Sequence, residues 1–403
     1  MHELMVRERD GTTERLPARP GASVGSVLLS ARIPPPSVVV IADGSPVSAD
    51  HRIDPDRSYE ARLLEGYDLD RIRSAFDPVG DDAAHVDRRL TFGETGGLDS
   101  STTARSLDDH QAAVEARLLD TIRHFDLISE GESLVLGASG GLDSSALLRG
   151  LAAIRDDLPT FDLTAVTVAD FIPVEDARSS ADIAEMVESL GFDHRFVESE
   201  TIADTYGLTD TPTAAMRALE ATDHAPTLGS LAPNVNQRML ERVAEEVGAD
   251  AILTGVHTTE LLGGILNEWF TGATVRRQSI PEHSLGPYAY RYPLVFLSKR
   301  ELFLYRYGKT GQTLRDRTEN PWDWLADEQS FHYYLADMLQ ALWPGVEHWV
   351  VESHNARVAA VDHPPTDRCD NCGKVKPAPD FDSTGRCPVC SAFDSVGLLV
   401  DSD

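Results

Sequence analysis

Seven consecutive residues, Ser139-Gly-Gly-Leu-Asp-Ser-Ser145, set three hydroxyls, two glycines and one carboxylate side by side. Before them, Leu134, Val135, Leu136 and Ala138 read as a short buried strand. After them, Ser145 to Leu151 reads as a helix with Ala146, Leu147 and Leu148 on its buried side. Strand, glycine loop and helix in that order make a cradle for an anion. Glycines let backbone N–H groups approach a phosphate with no Cβ in the way, and a helix N-terminus adds about half a positive charge. Ser139, Ser144 and Ser145 supply further donors. Asp143 belongs beside a phosphate only if a cation lies between them, so it reads as a Mg²⁺ ligand, direct or through water. The loop is not of the Walker type, which requires GxxxxGK[ST]. The bland alternative is a turn that merely joins strand to helix.

All four cysteines form a second cluster, Cys369-Asp-Asn-Cys372 and Cys387-Pro-Val-Cys390, with 14 residues between the pairs. Two Cys-x-x-Cys knuckles at this spacing present four thiolates to one Zn²⁺, and Gly373 permits the tight turn after the first. Two disulfides or a [4Fe–4S] cluster are the alternatives. A reducing compartment disfavours the first, and the knuckle pattern disfavours the second. Four filled positions leave such a zinc no catalytic duty.

The 403 residues suffice for two or three domains, and no apolar run approaches a membrane span. The stretch Met-His-Glu-Leu-Met-Val-Arg at the start has no apolar signal core, so a cytoplasmic location is expected. The net charge is −30, and only four of the 36 basic residues are lysines: Lys299, Lys309, Lys374 and Lys376. Abundant acids with few lysines match a hydrated surface built for molar salt. The other reading is a surface that repels nucleic acid. Between Arg276 and Arg317 the balance reverses, with nine basic residues (Arg276, Arg277, Arg291, Lys299, Arg300, Arg306, Lys309, Arg315, Arg317) against Glu282, Glu301 and Asp316. A polyanion partner fits that surplus. Arginines paired with acids elsewhere would explain it equally well.

The elements that must position these groups follow from periodicity and turn chemistry. Residues 1–66 read as a small domain: a hairpin turned at Asp10-Gly11, a helix from Val24 capped by Ser23 and stopped by Pro34-Pro35-Pro36, a strand Ser37–Ile41, a turn at Asp43-Gly44 and a last strand Tyr59–Leu64. Residues 67–107 carry few apolar side chains and read as a partly disordered linker. Residues 108–363 alternate helix and strand, the pattern of a doubly wound parallel α/β sheet. They open with a helix Asp108–Phe125 bearing Ala113, Leu118, Leu119 and Ile122 on one face. Strands Leu163–Val168, His194–Val197 and Ala251–Thr254 and helices Ser179–Leu190 and Asn234–Val247 follow. Ligands of such sheets bind at the C-terminal ends of strands, which places Val168 near an adenine. Residues 364–403 are the cysteine module, read as a zinc ribbon.

The order ββαββ in residues 1–66 resembles the β-grasp sulfur carriers of the ThiS/MoaD type. Those end in a free Gly-Gly, whereas this chain continues through Leu64, Glu65, Gly66 and Tyr67, and Gly96-Gly97 lies in the linker. An inert docking module is the alternative.

SGGLDSS resembles the signature of the PP-loop ATP pyrophosphatases, which cleave ATP between the α- and β-phosphates and adenylate a carbonyl oxygen. From Asp108 to Cys390 the chain resembles the TtcA/TtuA-type tRNA 2-thiolation enzymes. The resemblance rests on Arg123-His-Phe-Asp-Leu-Ile128, the loop, Leu253-Thr254-Gly255, Arg291-Tyr-Pro-Leu294, Pro344-Gly345 and the cysteine pairs. It implies an adenine nucleotide alpha hydrolase-like fold, with ATP on Ser139, Gly140, Gly141, Asp143, Ser144, Ser145, Val168 and Gly255. Asp143 would be the catalytic, Mg²⁺-binding residue, and Zn²⁺ would sit structurally on Cys369, Cys372, Cys387 and Cys390. The implied reaction is adenylation of a tRNA base followed by sulfur delivery. Partners implied are tRNA, a sulfur carrier or thiolase protein, and a second copy in a homodimer.

Four departures follow. Leu142 stands where the family loop has Lys. The family's Thr-Gly-His-Asn-x-Asp-Asp appears as Thr254-Gly-Val-His-Thr-Thr-Glu260, so His257 becomes a candidate polar contact to substrate, or simply a satisfied structural histidine. The family's catalytic cysteines map to Gly229, Ala232 and Asn320. The family's N-terminal zinc ribbon is missing. Sulfur would then come from outside the chain. Otherwise the chain is a non-catalytic ATP- and tRNA-binding paralogue or the partner of an active thiolase, or it amidates or thiolates a small molecule.

Overall fold

The computed structural model describes residues 2–7, 13–19, 21–31, 33, 38–48, 50–63, 85–92, 98–169, 180–220, 222, 228–271, 279–311, 335–336, 338–340, 343, 345–362 and 364–400. The turn at Asp10-Gly11, the Pro34–Pro36 stop, Leu64 to Tyr67, Gly96-Gly97, Asn320 and the arginines 276, 277, 315 and 317 lie outside these residues. Two compact units divide the chain, one holding Met1–Asp81 and the other Asp82–Gln340 and Gly345–Asp403.

In the first unit, strands β1 (His2–Arg7) and β2 (Thr13–Ala18) precede helix α1 (Val24–Ser30). Strands β3 (Val38–Ala42), β4 (Ser45–Val47) and β5 (Tyr59–Leu63) follow. The Ser23 hydroxyl caps α1 by accepting from the Ser26 N–H at 3.2 Å. The sheet runs β2-β1-β5-β3-β4, with β1 and β5 parallel and the other pairs antiparallel. Alternation buries Leu4, Val6, Leu16, Val40, Tyr59 and Ala61 against Val24 and Leu28 of the helix.

The second unit opens with a hairpin, β6 (His85–Phe92) and β7 (Leu98–Arg105), in register from His85↔Arg105 to Phe92↔Leu98. Residues 85–92 and 98–105, inside the stretch 67–107 expected as a partly disordered linker, are paired strands. Apolar residues are scarce here, yet Val86 and Thr91 on one strand and Thr102 and Thr103 on the other are residue types that favour pairing.

Helix α2 (Leu107–His124), strand β8 (Glu132–Gly137), helix α3 (Leu142–Ala153), strand β9 (Phe161–Val168), helix α4 (Ser180–Ser189) and strand β10 (Asp193–Val197) come next. Helices α5 (Ser199–Tyr206), α6 (Pro212–Glu220) and α7 (Leu228–Val247) lead to β11 (Ala251–Leu253) and α8 (Thr258–Thr271). The hairpin β12 (Glu282–Leu285) and β13 (Tyr288–Arg291) and helices α9 (Lys299–Thr310) and α10 (Val346–Ala359) complete the layer. The cysteine module holds β14 (Thr366–Arg368), β15 (Val375–Pro377) and α11 (Pro388–Ser395).

The six-stranded sheet has the order β10-β9-β8-β11-β13-β12 and is parallel except for the edge strand β12. The doubly wound α/β expectation holds, with an antiparallel edge that periodicity did not show. Side chains alternate between two cores. Leu134, Leu136, Leu163 and Leu253 face α2, α3 and α9 through Leu118, Ile122, Leu147 and Tyr305. Val135, Val166 and Ile252 face the other way, onto Val235, Met239 and Val243 of α7 and onto the cysteine module.

Two element boundaries and one buried face differ from expectation. Helix α3 begins at Leu142, because Gly141 takes the N-cap conformation; Asp143 and Ser144 therefore stand in its first turn instead of the loop. Helix α7 begins at Leu228, six residues before the expected Asn234, and runs through Pro233. The buried stripe of α2 runs His110, Val114, Leu118, Thr121 and Ile122, so Ala113 and Leu119 flank it.

Candidate functional site

The loop between β8 and α3 lies at the C-terminal edge of the sheet. Gly140 has φ +69°, a conformation that costs other residues about 1–2 kcal/mol. The Ser139 hydroxyl accepts from the Gly141 N–H at 3.3 Å and pairs with Ser144 Oγ at 3.1 Å, which folds the loop onto the first turn of α3. Thr167 Oγ1 donates to the Ala138 carbonyl at 2.7 Å, tying the end of β9 to the start of the loop. Val168 is the next residue, half-buried at that strand end.

Gly255 closes the other side. A Cβ there would lie 3.1 Å from the Asp143 carbonyl carbon and 3.2 Å from Asp143 Cβ and Ser144 N. Only a glycine lets the end of β11 approach the first turn of α3 so closely. The structure thus brings Gly255 onto Asp143 and Ser144.

Three polar atoms in this corner are buried and make no hydrogen bond among the described residues: Asp143 Oδ1, Ser145 Oγ and Thr254 Oγ1. Buried polar groups are normally paired, so the unpaired atoms on the first turn of α3 and on the residue before Gly255 are open to a polar ligand. Burial pushes the Asp143 carboxyl above the usual range, against the pull of Lys299 and then Arg306. Nε2 of His257 stands 3.6 Å from Asp143 Oδ1. Burial first, and the Lys299 charge second, push that imidazole down to about 4.

Sequence reasoning missed Thr254 Oγ1, Lys299 and Arg306 as members of this corner. No spacing in the chain marks them: α9 reaches Asp143 only because it packs against α3. Its start is held by a Ser298–Glu301 capping box and by an Arg117–Glu301 ion pair at 2.6 Å.

The structure reassigns part of the basic stretch. Arg291 is nearly buried and grips Glu132 through both terminal nitrogens, at 2.8 and 3.0 Å, while its Nε donates to Glu282 at 2.8 Å. It anchors the sheet instead of meeting a polyanion. Lys309 pairs with Glu115 at 2.6 Å. Lys299 and Arg300 keep exposed side chains.

The four cysteine sulfurs are buried and lie within 4.8 Å of one another, a set that could hold a metal ion. None is in a disulfide. Cys369 is held well below the ordinary thiol range by hydrogen bonds from its neighbours, while Cys372 and Cys390 are pushed up, since four negative sulfurs cannot share this space without a cation. Asn371 Nδ2 donates to Cys390 Sγ at 3.3 Å, and the Cys387 N–H donates to Cys369 Sγ at 3.3 Å. The module is welded to α7: Lys374 and Tyr290 both donate to the fully buried Glu241, and Arg238 Nε donates to the Cys372 carbonyl at 2.7 Å. Ala232, at a position where the resemblance expects a cysteine, packs in the same core.

No protein-family model matches the chain. The fold is similar to that of the U34-tRNA thiolase NcsA of Methanococcus maripaludis, solved with its [4Fe-4S] cluster, which superposes with a TM-score of 0.57 at 16% identity, over 75% of this chain and 93% of that one. In sequence the chain is similar to tRNA thiolation enzymes of the TtcA/TtuA type. A tRNA-cytidine(32) 2-sulfurtransferase of Methylobacillus flagellatus is 26% identical over 191 residues, 46% of this chain and 57% of the relative. One from Neisseria gonorrhoeae is 26% identical over 212 residues, 51% of this chain and 61% of the relative. The chain thus spans about three-fifths of the curated relatives it matches. No helix among the described residues is long and apolar enough to cross a membrane.

Proposed function

We propose that this chain binds ATP at the loop Ser139–Ser145 and adenylates a carbonyl oxygen of a tRNA base on the way to thiolation. The observation that carries this reading is the glycine loop at the N-terminus of α3 with the Gly255 backbone packed against its first turn, where Asp143 Oδ1 is buried and makes no hydrogen bond among the described residues. Amides of Gly140, Gly141 and the first turn would hold the pyrophosphate, helped by Ser139, Ser144 and Ser145 and by the helix dipole. Val168 and Gly255 would flank the nucleoside. Asp143 would hold Mg²⁺, which when bound neutralises phosphate charge. The base oxygen attacks the α-phosphorus, the bond to the bridging oxygen breaks, and pyrophosphate leaves; sulfide then displaces AMP. All four cysteines of the chain belong to the C-terminal cluster, so sulfide or a partner protein must supply the sulfur.

Zinc is the metal proposed for Cys369, Cys372, Cys387 and Cys390. Zn–S bonds of about 2.3 Å put sulfurs roughly 3.8 Å apart, and Cys372 Sγ and Cys387 Sγ are 3.7 Å apart. The five-stranded sheet and helix of residues 2–63 are proposed to be a β-grasp domain that docks a partner.

Pyrophosphate release from ATP, measured in molar KCl with and without bulk tRNA, tests the reaction. tRNA-stimulated release supports adenylation. The positions Gly229, Ala232 and Asn320 favour a second reading, a non-catalytic ATP- and tRNA-binding partner. ATP binding without release in either condition would select it.

A further inference from the structure

We propose that His257 positions the Asp143 carboxylate for its cation, donating from Nε2 to Asp143 Oδ1 while its other ring nitrogen caps helix α8. The proposal rests on the reading of this corner as a nucleotide site. His257 occupies the N-cap position of α8. Its carbonyl accepts from the Leu261 N–H at 2.9 Å, and its Nδ1 accepts from the Glu260 N–H at 3.3 Å. An Nδ1 that accepts carries no proton, so the proton of the neutral ring sits on Nε2. That nitrogen stands 3.6 Å from Asp143 Oδ1, a buried oxygen with no hydrogen bond of its own.

The two residues are held in this relation by backbone, not by chance rotamers. Gly255 packs against the Asp143 and Ser144 main chain. Thr258, next to His257, donates from its N–H to the Leu297 carbonyl at 2.9 Å and from Oγ1 to the Val295 carbonyl at 2.7 Å. The imidazole is 1% exposed, and turning it over would break the cap. The donor faces Oδ1 from just beyond hydrogen-bond range, and a small closure on cation binding would complete the bond, hold the carboxylate's orientation and leave Oδ2 for the ion. Outer partners of this kind orient metal ligands in general. His257 therefore acts through Asp143 and is a positioning residue.

Two substitutions separate the roles. Asn places its amide where Nδ1 lies, so His257→Asn keeps the cap and loses the reach to Asp143. Gln places its amide where Nε2 lies, so His257→Gln keeps the donor and loses the cap. ATP binding to the full chain is titrated by calorimetry over a series of Mg²⁺ concentrations in molar KCl, beside thermal unfolding. His257→Asn is expected to unfold at the wild-type midpoint but to need about tenfold more Mg²⁺ for half-maximal binding. His257→Gln is expected to unfold earlier with a Mg²⁺ requirement close to wild type. A wild-type Mg²⁺ requirement in His257→Asn, or a requirement that follows the unfolding midpoint in both variants, overturns the proposal. Nitrogen NMR of ¹⁵N-histidine-labelled protein gives a second readout without nucleotide. An Nε2–H ring at His257 supports the contact, and an Nδ1–H ring refutes it. If the wild type binds no ATP at any Mg²⁺ concentration, the nucleotide reading falls, while the NMR result still decides the contact with Asp143.

Discussion

At the scale of single residues, Asp143 and Gly255 bear most of the site's design. Asp143 is buried enough for its charge to be costly, yet it stands at a helix N-terminus and feels Lys299 and Arg306. Asp143→Asn should remove the Mg²⁺ dependence of ATP binding, read by the same calorimetry, while leaving urea unfolding nearly unchanged. Gly255→Ala should do the reverse of a surface change. Its Cβ meets backbone 3.1 Å away, so the loop must shift, at roughly 1–3 kcal/mol of stability and with weaker nucleotide binding. His257 supplies a pH prediction for the magnesium-free protein. Its native value of about 4 lies below the ordinary 6.5. Between those values the unfolded chain takes up a proton that the native state refuses. Stability present above pH 6.5 is therefore lost as pH falls toward 4, by roughly 3 kcal/mol at most. Urea unfolding of wild type and His257→Asn at pH 7 and pH 4.5 measures it, and the variant should lose less.

At the scale of elements, the site is made where two strand–helix junctions meet. The end of β8 with α3 supplies the loop, and the end of β11 with α8 supplies Thr254, Gly255 and His257. Helix α9 adds charge from a third direction. Helix α7 plays a different part, as the platform for the cysteine module. Its Glu241 is fully buried with Lys374 and Tyr290 donating to it. Removing one member of such a pair leaves a buried charge alone. Lys374→Ala should cost about 3–5 kcal/mol in urea unfolding, and the double variant Lys374→Met with Glu241→Leu should recover much of it.

At the scale of the molecule, the cysteine module shares one core with α5, α6 and α7, through Tyr206, Met239 and Phe393. A module welded in this way cannot unfold by itself. Stripping any metal from the four cysteines with a strong chelator should lower the unfolding midpoint of the whole second unit in one transition, whereas a separate early transition would show the module to be autonomous. The net charge of −30 adds an expectation: the midpoint should rise as KCl increases toward molar concentrations, because salt screens self-repulsion.

The amino-acid sequence by itself determined the parts that are local. The order strand–glycine loop–helix at 134–151 follows from apolar runs and glycine chemistry within a few residues, as does the pairing of cysteines at 369–390. The alternation of strands and helices follows from periodicity. Only the tertiary structure decided the rest. It set Leu142 as the start of α3, placed Lys299 and Arg306 near Asp143, and turned Arg291 into an anchor for Glu132. It also made His257 both cap and neighbour of a carboxylate. The reason is physical: burial and charge coupling act through space across the folded sheet, so residues far apart in the chain acquire a common chemistry that no sequence interval records.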